Sequence, residues 1–417
     1  MTNGHGAGRP RAAGVLAALL LAAGLSGARG AAAYELWVTD QSDTAKESGG
    51  ILYVYDGAGL AANPAAAKPI ATLDFGKEPG AYCQQRTGKA VRRPHMILFT
   101  KDQRYALLAF LSGHVLVLDA GTKQPVGCIL AGANAHAAYP TPDQKLAIGA
   151  NITEKKLFRI ATDYGRGSFA FDPAKDVLDL AALQSAEQPD NAPICPITDA
   201  SGRYAFVTLR GGGLLVVDVT ATPMKVVASL GKDQIRPAGC GGIQVGQTMY
   251  INSGGGWPAT PVAYDLYAIA LDRLPGSVSA RRIFAREGEF ADSHGMVAIG
   301  RYLWSVDRAG NRIDVIDTRT NQRVNTLDLV GPLSDDPAPD LIDASPDGAF
   351  AFVTLRSPTP LTGNNPQAGN AKGSTPGIGV IRVSEEGRSG RLEGILRLAN
   401  PQDGKDVADP HGLAVRK

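Results

Sequence analysis

Ala205-Phe206-Val207-Thr208-Leu209-Arg210 recurs as Ala351-Phe352-Val353-Thr354-Leu355-Arg356. Each copy follows the same kind of turn, Asp-Ala-Ser-Gly-Arg at 199–203 and Ser-Pro-Asp-Gly-Ala at 345–349. Identical hexapeptides behind equivalent turns mark a repeat protein. One supersecondary unit is built many times, and function is to be sought where the units converge.

Working outward, the unit is a short apolar strand, a polar Gly/Asp turn, a second strand, a glycine loop and a third strand ending in Asp. Residues 94–119, 193–218 and 293–317 carry it clearly. Residues 339–383 carry it with an insertion at 357–377, residues 239–271 are a looser copy, and 135–160 lack a clean third strand. A connector such as 120–126 or 318–324 then leads to a fourth strand. Four strands of period-2 patterning over roughly 40–60 residues make a propeller blade.

The chain ends complete one another. Residues 34–75 supply the last three strands of a blade, and 409–416 supply a first strand with nothing after it. Joining them predicts an all-β, seven-bladed β-propeller, closed by N- and C-terminal strands in one blade, which leaves no open sheet edge.

Residues 1–33 read as a secretory signal: Arg9 and Arg11, an apolar run 12–25, then small residues. The expected mature domain is therefore 34–417, periplasmic or secreted. Loss of the leader's three basic residues takes Lys+Arg from 42 to 39 against 40 Asp+Glu. A near-neutral chain without a basic stripe argues against nucleic acid, and no further run is long enough to span a membrane. With 50 Gly and 27 Pro the chain is dense in turns. A closed propeller needs no partner to protect its edges.

The Tyr-Ala-Phe-Val-Thr-Leu strand at 204–209, the Asp-Gly turns and the Val-Val-Asp-x-Thr strand end at 216–220 resemble YVTN-type bacterial β-propeller repeats. The resemblance covers essentially the whole mature chain and extends to the cytochrome/nitrite-reductase-like propellers. It implies a propeller fold. Function it leaves among scaffolds, lactonases and haem- or copper-binding enzymes. In the haem-binding propellers of periplasmic nitrite reductases, channel-mouth histidines serve as ligands or proton donors. This chain has no Cys-x-x-Cys-His, which excludes covalent c-type haem.

Aligned on their second strands, the units begin their innermost strands with His95, His136, Ile194 (beside Cys195), Cys240, His294, Asp340 and His411. Four of the five histidines beyond the leader fall in this one slot. The first strand of each blade lines the channel, so the slot predicts a ring at one mouth. Imidazole, thiolate and carboxylate together suit Cu, Fe or Zn rather than Ca or Mg. His411, His95, His136, Asp340 and His294 form the expected cluster, with Cys240 beside it.

Arg210, Arg308 and Arg356 end second strands toward the same mouth, and His114 lies in the matching loop of the first complete blade. They are candidates to hold a small anionic ligand or, equally, to pair with carboxylates such as Asp292 and Asp340. The glycine runs 211–213 and 254–256 read as hairpin turns, with Trp257 and Tyr264 either lining the mouth or capping a loop. Cys83 and Cys128 flank the first complete blade and suit a disulfide, whereas Cys195 and Cys240 could pair or supply thiolate. The function expected is a metal- or redox-cofactor-binding exported propeller. The alternatives are a non-enzymatic scaffold for a periplasmic protein or ligand, and a metal-dependent lactonase-like hydrolase.

Overall fold

The computed structural model describes residue 1 and residues 33–254, 263–287, 291–363 and 371–417. The expected leader, Trp257 with its two preceding glycines, and residues 364–370 of the insertion lie outside the described residues.

Seven antiparallel sheets of four or five strands make up the domain. We number the blades by their innermost strands: Pro94–Phe99 (blade 1), Ala137–Pro140 (2), Pro193–Thr198 (3), Gly242–Val245 (4), Ser293–Ile299 (5), Pro339–Ala344 (6) and Pro410–Arg416 (7). Blade 7 closes the ring as expected. Its inner strand pairs antiparallel with Glu35–Asp40, through Leu36↔Val415 and Val38↔Leu413, and Ile51–Asp56 and Ala71–Asp74 complete it.

The second strands are apolar on both faces because each face meets a different neighbour. In Tyr105–Phe110, Ala106, Leu108 and Phe110 join a core with Trp37, Leu52 and Val54 of blade 7. Tyr105, Leu107 and Ala109 join a core with Phe158 and Ile160 of blade 2. Each fully buried large apolar side chain contributes about 1.5–3 kcal/mol, so blade-to-blade packing carries the fold.

Blade 2 departs from the sequence expectation. Its third strand is present and long, Lys156–Asp163, and pairs with both Ser168–Ala170 and Val177–Asp179. The apolar pattern breaks there because Arg159 is buried between blades. Its guanidinium donates to Asp176, to the Val219 and Ala221 carbonyls and to Thr222 Oγ1. Among the described residues no helix is long and apolar enough to cross a membrane.

A helix, Gly80–Thr87, precedes blade 1 and is tied to its outermost strand by the Cys83–Cys128 disulfide. The bridge closes a separation of 45 residues, for which the chain-entropy argument gives about 4 kcal/mol. The double variant Cys83→Ser/Cys128→Ser is expected to lose about 2–4 kcal/mol in a urea titration while keeping the blade pattern in circular dichroism.

Candidate functional site

The ring residues are placed by a shared backbone device. In blades 1, 3, 5, 6 and 7 the register between first and second strand slips where the inner strand begins. The slip lies between Pro94 and Met96, Pro193 and Pro196, Ser293 and Met296, and Pro339 and Ile342. In blade 7 it falls between Pro410 and Leu413. Each is a one-residue bulge, and His95, Cys195, His294, Asp340 and His411 sit inside one.

A bulge leaves a backbone N–H without a ladder partner, and the second strand supplies one. Thr208 Oγ1 accepts from Cys195 N at 3.2 Å, Thr354 Oγ1 from Leu341 N at 3.1 Å, and Thr39 Oγ1 from Gly412 N at 2.8 Å. The same hydroxyls reach the next blade: Thr208 donates to the Gly239 carbonyl and Thr354 to the His411 carbonyl. The threonine of the repeated hexapeptide is thus the stitch of the ring.

Glycines follow three of the ring residues because neighbouring strands touch there. A β-carbon on Gly241 would lie 2.2 Å from the His294 carbonyl oxygen. On Gly295 it would lie 2.6 Å from the Asp340 carbonyl oxygen, and on Gly412 2.7 Å from that of His95. None of these contacts tolerates a side chain.

The ring does not act as one cluster. It divides into His294–Asp340–His411 and His136–Cys195–Cys240, and within each trio the donor atoms lie within 4.8 Å of one another. Cys240 therefore belongs with Cys195 rather than with the expected cluster of five. His95 stands between the trios, its ring stacked on His411 at 3.8 Å and 4.3 Å from the His136 ring. The aligned position is Ile194, yet Cys195 takes the ring place, because the bulge holds two consecutive residues and turns the second one inward.

Asp340 is fully buried at the centre of a charge network. Its Oδ2 accepts from Arg356 at 2.6 Å and Arg308 at 3.1 Å. Arg356 also forks onto both oxygens of Asp409, and Arg308 onto Asp292. Three carboxylates thus share two guanidinium groups. Burial pushes the Asp340 carboxyl up, but Arg308, His294, His411 and Arg356 outweigh it and hold it well below the usual range. Its Oδ1 lies 2.8 Å from His294 Nε2 yet outside hydrogen-bond alignment, so this buried oxygen lacks a hydrogen-bond partner.

The imidazoles are set as acceptors. His411 Nδ1 lies 2.9 Å from the His95 carbonyl, to which it can only donate, leaving Nε2 unprotonated in a neutral ring. His95 Nδ1 bonds Gln41 Oε1 at 3.1 Å, and its buried Nε2 has no partner. Burial pulls both rings well below the ordinary imidazole range.

Of the other candidates, Arg308 and Arg356 are engaged in the carboxylate network and buried. Arg210 pairs with Asp190, which also binds Lys155, apart from the trios. His114 bonds Ser112 and Thr87, fastening helix Gly80–Thr87 to blade 1 rather than facing the channel. Tyr264 is buried inside blade 4 under Arg286. Gly212 and Gly213, at φ 93° and 92°, form the tight turn expected of them. From the insertion, Leu361 N donates to Asp409, and the Thr362 carbonyl accepts from Arg356. The network side of the ring is therefore covered, not open.

At Cys195 burial raises the thiol, but hydrogen bonds from Cys240 and His136 outweigh it and lower it. Its partner Cys240 is pushed well up by that bond and by burial. The two sulfurs stand 2.7 Å apart and are not joined as a disulfide.

No protein-family model matches the chain, and no curated protein matches it significantly. Among solved structures, a Bacteroides uniformis protein assigned as a 6-phosphogluconolactonase superposes with TM-score 0.58 at 13% identity, covering 92% of this chain and 99% of its own. Dihydro-heme d1 dehydrogenase NirN in complex with DHE matches with TM-score 0.48 at 13% identity over 91% of this chain and 74% of its own. The former likeness is one of fold, in agreement with the propeller part of the YVTN-type resemblance.

Replacing Arg356 by Met is expected to lower stability by about 3–5 kcal/mol, because Asp340 and Asp409 keep buried charge without its partner; chemical denaturation measures it. His114 gives a separate pH signature. Burial lowers its pKa to about 4, so the unfolded chain binds the proton first and stability falls as pH drops from about 6.5 to 4. His114→Gln should remove up to about 3 kcal/mol of that loss, read as a smaller difference between urea midpoints at neutral and acid pH.

Proposed function

We propose that this protein is an exported metalloprotein of the oxidoreductase type, with a first-row divalent metal held by His294, His411 and Asp340. The observation that carries the reading is the buried, unpartnered Asp340 Oδ1 facing imidazole nitrogen in a network with one carboxylate more than its guanidinium groups. Asp340 Oδ1 and His294 Nε2 stand 2.8 Å apart in a dry site, a separation that either a proton on the imidazole or a cation between them satisfies. Two imidazoles and one carboxylate are the donor set of non-haem Fe(II) centres, which bind and activate small molecules at open positions.

The chain's own residues divide the work. The His95 carbonyl orients His411 by accepting from Nδ1. Arg308 and Arg356 hold Asp340 ionised through Oδ2, leaving Oδ1 for the metal. A small anion would have to displace Asp292 or Asp409 to reach those guanidinium groups, so we assign the arginines to positioning. The segment 361–363 excludes water from that side. The leader, 1–33, would deliver the protein to the periplasm or medium.

Anaerobic titration with Co(II) tests the reading. One equivalent with ligand-field bands, lost in His411→Gln and His294→Gln but kept in Cys240→Ser, is expected. Failure of the folded protein to take up Co(II), Fe(II) or Zn(II) at these residues would leave the scaffold reading in its place.

A further inference from the structure

We propose that Cys195, Cys240 and His136 form a second, separate metal site that takes Cu(I) in trigonal coordination, reached from the opposite mouth of the channel.

The donors come from three consecutive blades, 2, 3 and 4, and their ligand atoms lie within 4.8 Å of one another. Both sulfurs are buried, at 0% and 2% exposure, and His136 Nδ1 is a buried nitrogen with no hydrogen-bond partner. Two sulfurs and one imidazole are a soft set, which selects Cu(I) or Zn(II) over Fe(II), Mg or Ca. Closed zinc sites are almost always four-coordinate, and a zinc site of two cysteines and one histidine keeps an open position for water; three buried soft donors suit Cu(I). It also differs in kind from His294–Asp340–His411, whose donors are harder and whose surroundings are charged.

The channel supplies access. A cavity of about 260 Å³ runs between the inner strands, lined by Met96, Tyr139, Cys240, Leu341 and Leu413 among others. Its lining includes late inner-strand residues, such as Phe99 and Val415, and Gln103 in the turn beyond. The cavity therefore leads from the mouth away from the arginine network to the Cys240 position. Met96 adds a thioether on the way, a group that soft cations favour.

The sulfurs must part for the ion. Metal–sulfur bonds of about 2.3 Å separate two thiolates on one ion by roughly 3.7–4 Å, against 2.7 Å here. Cys240 precedes its inner strand, Gly242–Val245, and Cys195 lies in a bulge, so neither sulfur is held by a regular ladder on both sides.

The test uses the full protein exported through its own leader and kept under mild native reduction without oxygen. Cu(I) is titrated in competition with bathocuproine disulfonate, alongside thiol counting and copper X-ray absorption. The expected result is two reactive thiols without metal and one tightly held Cu(I) with two sulfur neighbours. Cys195→Ser and Cys240→Ser should each weaken Cu(I) binding at least about 100-fold, and His411→Gln should leave it unchanged. The sulfur count is read on wild-type protein, so it stands even if a cysteine variant misfolds. A Cys195–Cys240 disulfide that resists native reduction, Cu(I) without sulfur neighbours, or Zn(II) displacing Cu(I) from the trio would each overturn the proposal. The Co(II) result at His411 and His294 is independent of all three.

Discussion

The bulge that opens the inner strand is the constraint on which the rest depends. A regular strand would alternate its side chains between two inter-blade cores, as Tyr105–Phe110 does, and would present nothing to the axis. One extra residue breaks that alternation and turns a polar side chain inward. The orphan N–H it creates would cost about 1–3 kcal/mol if left unpaired. Thr39, Thr208 and Thr354 accept these bonds. In blade 4, where the register does not slip, Asn252 Oδ1 accepts from Gly241 N while Nδ2 donates to the His294 carbonyl.

From that device follow both the closeness and the division of the ring. The inner-strand starts approach so nearly that Gly295 and Gly412, inside bulges, and Gly241, which has none beside it, have no room for a β-carbon. Chemistry then sorts the side chains. On one side, carboxylates and guanidinium groups gather around Asp340, where each buried charge must find an opposite one. On the other, Cys195 and Cys240 meet His136 without a direct ion pair. His95, stacked on His411 and close to His136, joins the two.

The arginines show how one repeat position acquires different roles. Arg210, Arg308 and Arg356 end equivalent strands and each pairs with an aspartate shortly before an inner strand: Asp190, Asp292 or Asp409. Only Arg308 and Arg356 also reach Asp340, because Arg356 lies in the same blade as Asp340 and Arg308 in the adjacent blade 5. Arg210 belongs to blade 3, away from any ring carboxylate, and keeps a half-exposed surface pair.

Blade number, ring closure by the chain ends and the slot holding four histidines were all legible in the sequence, whereas the Cys83–Cys128 pairing was one of the options the spacing left open. The first three follow from local periodicity or from counting along the chain. The missing strand of blade 2 was not legible, since Arg159 breaks the apolar pattern and finds its partners only across the blade boundary. Nor was the choice of Cys195 over its neighbour Ile194 for the ring position: a one-residue bulge is a register shift between strands, invisible in either strand alone. The sequence by itself determined the fold and the kinds of donor brought to the axis, because both are properties of the repeat. Tertiary structure alone decided which donors meet, which arginines are consumed by carboxylates, and that one ring becomes two trios. Those outcomes depend on distances of a few ångströms between blades far apart in the chain.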